Sequence, residues 1–195
     1  MRARLIYLKR GGACFVPHIA LAQIFSRSAM RSGLKLIMTQ GFSPRAKISF
    51  APELPAGVVA LNEPVDMYFD DVHDDIAMLM NESLPEGFHV SRVLFPEDNS
   101  PSLGKMCKYA EYLIRSTEGH ELNEHSRKFF GDSMFRLAEI DEWLRIILTE
   151  PAQNPIGGFI KYLKNENVIE GWHEMNIVRV SIGGYDSEGD CVCLK

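Results

Sequence analysis

The sequence predicts an α+β protein made of two successive halves that share one element order: strand, helix, strand, strand, helix, strand. Three observations carry that prediction. Short apolar or alternating runs take turns with stretches of three- and four-residue apolar spacing. Gly and Pro punctuate the joins. A Pro/Ser/polar segment from Pro96 to Gly104 separates two portions of similar length.

In the first half, Arg2 to Lys9 mixes basic residues with Leu5, Ile6, Tyr7 and Leu8 in a strand-like run that Gly11-Gly12 stops. A helix follows from Pro17, with Leu21, Ile24, Phe25, Ser28 and Ala29 on one face and Gln23, Arg27 and Arg31 on the other, until Gly33 closes it. Leu34 to Thr39, a turn from Gln40 to Pro44 and a strand from Lys47 to Ala51 come next, ended by Pro52, Pro55 and Gly57. Val65, Met67 and Phe69 alternate with Asp66, Tyr68 and Asp70, so a third strand is read from Pro64 to Phe69. Asp71 is a candidate cap for a second helix carrying Ile76, Leu79 and Met80, and Phe88 to Phe95 reads as the fourth strand. Two helices covering one face of a four-stranded antiparallel sheet in this order make a ferredoxin-like domain.

After the linker, Cys107 to Arg115 is strand-like, Glu121 to Phe130 helix-like, and Arg136 to Thr149 holds one or two strands; Pro155 to Lys164 reads as a helix and Asn176 to Ile182 as a strand. The same order recurs without recurring sequence. The expected domains are therefore 1–96, with a basic N-terminal half, and 105–195, a second ferredoxin-like or related α+β unit.

The chain has 195 residues, a formal charge of −5 and 46% hydrophobic residues, enough to build cores without disulfide staples. No apolar run approaches the roughly 20 residues a membrane helix needs, and the N-terminus lacks the apolar stretch of a leader. With four scattered cysteines, Cys14, Cys107, Cys191 and Cys193, a cytoplasmic protein with reduced thiols is expected.

The overall charge hides a split. Residues 1–50 hold nine Lys or Arg and no Asp or Glu, whereas 51–100 hold eleven Asp or Glu and one basic residue, Arg92. Clustered cations repel unless an anion joins them, and the three candidates are nucleic-acid phosphate, an acidic protein surface and the chain's own acidic stretch from Glu63 to Asp75.

The densest constellation is His18, Arg27, Arg31, Gln40, Ser43, Arg45 and Lys47. Arg grips phosphate bidentately and Lys acts as a point charge. The turn Gln40-Gly41-Phe42-Ser43-Pro44-Arg45 adds backbone N–H groups, a hydroxyl and an aromatic ring able to stack on a base. The expected anion-binding set is Arg27, Arg31, Gln40, Gly41, Phe42, Ser43, Arg45 and Lys47. His18 has the right ordinary pKa for proton transfer but no second titratable group placed beside it, so no catalytic residue is assigned, and His18 stays the weak candidate.

No metal site and no cofactor are expected. His120 and His125 do not match H-E-x-x-H spacing and read as surface residues; Cys191-x-Cys193 lacks the further ligands of a closed site and reads as two small apolar residues of a strand. Gly157-Gly158, after Asn154-Pro155, lacks the flanking residues of a phosphate loop.

On these residues the chain resembles a bacterial family of radical-SAM-linked proteins of unknown function. Phe15, His18, Arg27, Arg31, Gly33-Leu34, Gly41-Phe42, Pro44, Lys47, Phe50, Leu54-Pro55 and Gly57 stand where that family has its characteristic residues, and a pattern around Pro155 and Val178-Arg179 fits it by element order. Pro17 and Ala20 stand where the family usually has Ser and Asp, so a Ser-His-Asp-like cluster is broken here. The absence of a Cys-x-x-x-Cys-x-x-Cys run makes the chain similar to the family's stand-alone members. The resemblance implies an RNA or translation context and a radical-SAM protein as partner. The expected function is an accessory RNA-binding or substrate-presenting protein, non-catalytic; the alternatives are a docking module for a radical-SAM partner without RNA contact and a metal-independent RNA-processing nuclease using His18.

Overall fold

The structure, a computed structural model, describes residues 1–71 and 75–185, together with the backbone of 191–193. Among the described residues it is a mixed α/β protein with a mostly antiparallel sheet of nine strands and five α-helices. In chain order these are β1 (Arg2–Lys9), α1 (His18–Arg31), β2 (Ile48–Phe50), β3 (Val59–Tyr68), α2 (Ile76–Ser83), β4 (Phe88–Leu94), α3 (Leu103–Met106), β5 (Tyr109–Ser116), α4 (Asn123–Phe130), β6 (Met134–Ile140), β7 (Trp143–Thr149), α5 (Ile156–Asn165), β8 (Met175–Tyr185) and β9 (Cys191–Cys193).

The sheet runs β4-β1-β3-β8-β5-β7-β6, with β2 added to β3 and β9 to β8. Within each half the pairs are antiparallel. The halves meet through a short parallel pairing, Val59 against Val178 and Ala60 against Arg179, so one sheet spans both. β3 is longer than the alternation of Val65, Met67 and Phe69 suggests, because it starts at Val59. It changes partner along its length: β8 is paired at 59–60 and β2 at 65–67. Pro64, which has no N–H to give, sits in the gap between those two pairings while facing Ile6 of β1.

Two apolar cores form. The first gathers Leu5, Tyr7, Leu21, Phe25, Val65, Met67, Phe69, Ile76 and Met80 between the first-half sheet and α1 with α2. Phe25 lies edge-on to Tyr7 at 4.8 Å and to Phe50 at 5.7 Å, a favoured aromatic geometry. The second gathers Tyr112, Ile114, Ile146, Phe159, Leu163 and Ile177 under α4 and α5. It also takes in Ala51, Leu54, Val58 and Ala60, so a first-half segment completes the second-half core.

The 96–104 segment, polar as it is, runs against the back of the first-half sheet. Arg2 donates from Nη1 to the Ser100 carbonyl at 2.9 Å and from Nη2 to that of Pro101 at 3.1 Å. Leu103 of α3 is fully buried. On that back face Arg4 holds Asp66 bidentately, Nε to Oδ1 at 2.7 Å and Nη2 to Oδ2 at 3.0 Å.

Candidate functional site: a basic hairpin and a buried polar junction

The turn from Gln40 to Pro44 is the tip of a short hairpin. Leu36 bridges to Phe69 and Met38 to Ala46. The Thr39 N–H donates to the Arg45 carbonyl at 2.7 Å, and the Arg45 N–H to Thr39 Oγ1 at 3.1 Å. Gly41 takes φ of 133°, a backbone region open to Gly alone at little cost. The result is a projecting loop in which Gln40 to Arg45 are all exposed and Phe42 touches almost nothing. At the base of the hairpin the Lys47 ammonium lies 4.1 Å from the Tyr68 ring centre, a cation–π contact.

The hairpin flanks the C-terminal half of α1, where Ser26, Met30, Leu36 and Met38 line a groove of about 430 Å³. Arg31 turns to the other side of the helix and donates to the Ser83 carbonyl at the end of α2 and, at 3.1 Å, to Ser28 Oγ. Arg27, one turn earlier, is exposed. The structure thus brings Gln40, Gly41, Phe42, Ser43 and Arg45 together at one tip, puts Lys47 at its base and sets Arg31 on the α2 side of α1, with Arg27 exposed one turn earlier. His18 stands at the opposite end of the helix, about 14 Å from Arg27 along the axis at 1.5 Å per residue.

The charge split is neutralised selectively. Asp66 takes Arg2 at 3.1 Å and Arg4 at 2.7 Å, and Asp71 takes Lys35 at 3.6 Å. Arg27, Arg31, Arg45 and Lys47 have no carboxylate partner among the described residues. Asp74, in the acidic stretch, lies outside the described residues.

His18 belongs to a different group, where the two halves meet. Arg179 of β8, only 1% exposed, donates to both oxygens of Glu63, Nε to Oε1 at 2.7 Å and Nη2 to Oε2 at 2.5 Å. Its remaining N–H groups reach the carbonyls of Glu53 at 3.3 Å and Pro52 at 3.1 Å and the Tyr112 hydroxyl at 3.4 Å. Burial opposes the guanidinium charge, but Glu63 and Tyr112 outweigh it and hold Arg179 above its ordinary pKa. Nearby, Lys9 is buried with its ammonium on the Val16 carbonyl at 3.1 Å, and burial pushes its pKa down. Burial likewise raises the Cys14 thiol and the Tyr7 hydroxyl.

At the edge of this junction the His18 ring meets Phe50 edge-on at 5.6 Å, with Nδ1 buried and without a hydrogen-bond partner among the described residues. Burial lowers its pKa, Glu53 and Glu63 pull it up, and Arg179 and Lys9 push it down again. The neutral ring is favoured.

Sequence reasoning missed the Glu63–Arg179–Tyr112 cluster. Its signal was an arginine amid the apolar run Ile177 to Ile182, noted only as part of the Val178-Arg179 pattern. Elsewhere, His125 Nδ1 lies 3.5 Å from the Tyr162 hydroxyl and His120 Nε2 lies 3.5 Å from Glu174 Oε2. Gly157 and Gly158 serve close approach: a Cβ on Gly157 would stand 3.3 Å from Pro55, and one on Gly158 3.2 Å from Phe129. Cys14 and Cys107 are buried and form no disulfide among the described residues. The backbone of Cys191–Cys193 pairs with β8, and the side chains of both cysteines lie outside the described residues.

These features define a mixed α/β protein in which no described helix is long and apolar enough to cross a membrane. The chain belongs to a bacterial family described as "uncharacterized protein conserved in bacteria" (DUF2344), which matches residues 2–148. That span takes in the hairpin, α1 and Glu63. No curated protein matches the chain.

Proposed function

We propose that this protein is a non-catalytic accessory protein of the cytoplasm that binds single-stranded RNA and presents it to a radical-SAM enzyme. The observation that carries the RNA reading is the pattern of charge pairing. Asp66 and Asp71 engage Arg2, Arg4 and Lys35, while Arg27, Arg31, Arg45 and Lys47 meet no carboxylate among the described residues, Arg31 donating only to the Ser83 carbonyl and Ser28 hydroxyl and Lys47 resting on the Tyr68 ring. Beside them Phe42 offers a bare ring to a base. The enzyme partner rests on the resemblance of the Gln40-to-Val58 segment. We also read each half as a ferredoxin-like unit, supported by the parallel orders β4-β1-β3-β2 and β8-β5-β7-β6.

The test is fluorescence anisotropy with a labelled single-stranded RNA across a salt series. Four neutralised phosphates give a log–log slope of about −2.8, roughly −0.7 per contact. Arg45→Gln and Arg27→Gln should each make the slope shallower by about 0.7, and Phe42→Ala should weaken binding by about 1–3 kcal/mol with little change in slope. No binding at low salt, with a radical-SAM protein instead captured through the same arginines, would replace phosphate recognition by protein docking.

A further inference from the structure

The loop that leads into β8 carries Glu170, His173 and Glu174, three metal-type donors within five residues. One donor atom from each lies within 4.8 Å of the others. Glu174 organises the group. Its side chain is 9% exposed, although a buried carboxylate normally needs a cation or several donors. Its Oε1 accepts the Glu170 N–H at 2.8 Å, which fixes the carboxylate. His173 Nε2 stands 3.6 Å from Oε1, and His120 Nε2 stands 3.5 Å from Oε2.

The His173–Glu174 separation is long for a hydrogen bond. It is close to the roughly 3.4 Å between donor atoms that share one tetrahedral ion at bond lengths of about 2.0–2.1 Å. The rest of the loop suits a fixed imidazole. Gly171 has no side chain where the His173 ring sits, and a Cβ there would be 3.2 Å from Nδ1, leaving Nε2 turned to Glu174. A cleft of about 850 Å³, with Lys164 and Asn167 on its wall, opens beside the donors.

We propose that Glu170, His173 and Glu174 bind one Zn²⁺ ion, with His120 holding the second oxygen of Glu174 from behind. One imidazole and two carboxylates form a mixed N/O set that suits zinc better than the oxygen-only sets preferred by Mg²⁺. Three protein ligands leave a coordination position facing the cleft. The ion also accounts for the burial of Glu174. This site lies on α4-side and β8-side loops, apart from the basic hairpin, and is independent of the RNA reading.

The experiment is Zn²⁺ titration of the full chain, stripped with chelator, by competition with a chromophoric chelator. The expected result is one high-affinity equivalent per chain, weakened about 10-fold or more by His173→Ala and by Glu170→Gln, both exposed positions, and about 10–100-fold by His120→Ala. Mg²⁺ should not compete. Zinc should raise the melting temperature of the parent protein and not that of His173→Ala. X-ray absorption should show N/O neighbours near 2.0–2.1 Å. Absence of stoichiometric zinc, unchanged affinity in His173→Ala and Glu170→Gln, or a sulfur shell near 2.3 Å from the cysteines would overturn the proposal.

Discussion

At the scale of single residues, Arg179 and His18 show how one junction treats charge in opposite ways. Arg179 is kept ionised because Glu63, Tyr112 and two carbonyls satisfy its donors. Removing one partner strands the other: Arg179→Met should cost about 3–5 kcal/mol in urea unfolding, and the double variant with Glu63→Leu should recover much of that loss. His18 is kept neutral by burial. Its folded pKa is depressed, so the unfolded chain takes up the proton first, and the stability it contributes above its unfolded pKa is lost as pH falls through roughly 6.5 toward the folded value. The slope is at most about 1.4 kcal/mol per pH unit, the limit for one proton, and smaller here because the ring is only half-buried. Denaturation midpoints between pH 7.5 and 5.5 should therefore fall less steeply in His18→Gln than in the parent.

At the scale of elements, apolar spacing made most of the helices and strands legible, but not α3, which begins inside the segment read as a linker. Of the face read for α1, Leu21, Phe25, Ser28 and Ala29 are buried, and Ile24 packs partly buried against the same core. The N-terminal stretch of β3 was not legible, because Asn62-Glu63-Pro64 reads as a break; Glu63 is tolerated by Arg179 and Pro64 by the change of strand partner. Gly157-Gly158 offered no chemical signal, and its role depends on Pro55 and Phe129, contacts remote in sequence. The two glycines should respond differently. Gly158→Ala meets only the far end of the partly exposed Phe129 ring and should gain a few tenths to about 1 kcal/mol of helix propensity. Gly157→Val presses on the Pro55 ring beside Trp172 and should lose about 1–3 kcal/mol. Thermal melts of the two variants check the sign.

For the whole molecule, element order was legible and its consequence was not. Nothing local announces that β3 and β8 pair, since only Val59 and Ala60 take part. The linker composition of 96–104 was equally misleading about place: the segment is polar enough to run freely, yet the donors of Arg2 tie its carbonyls to the sheet. The candidate anion-binding residues were visible as a charge imbalance. Which of them stay unneutralised depends on Asp66 and Asp71, whose partners no spacing rule supplies.

The shared core sets a timetable for synthesis. Glu63 and Arg179 are 116 residues apart. At about 5–20 residues per second, a ribosome needs roughly 6–23 s to deliver the arginine after the carboxylate. Throughout that interval the nascent first half lacks the cation that lets Glu63 be buried, and Leu54, Val58 and Ala60 lack the core they complete. The first half therefore leaves the ribosome with its inner edge still wet, and it closes only when the last long strand arrives.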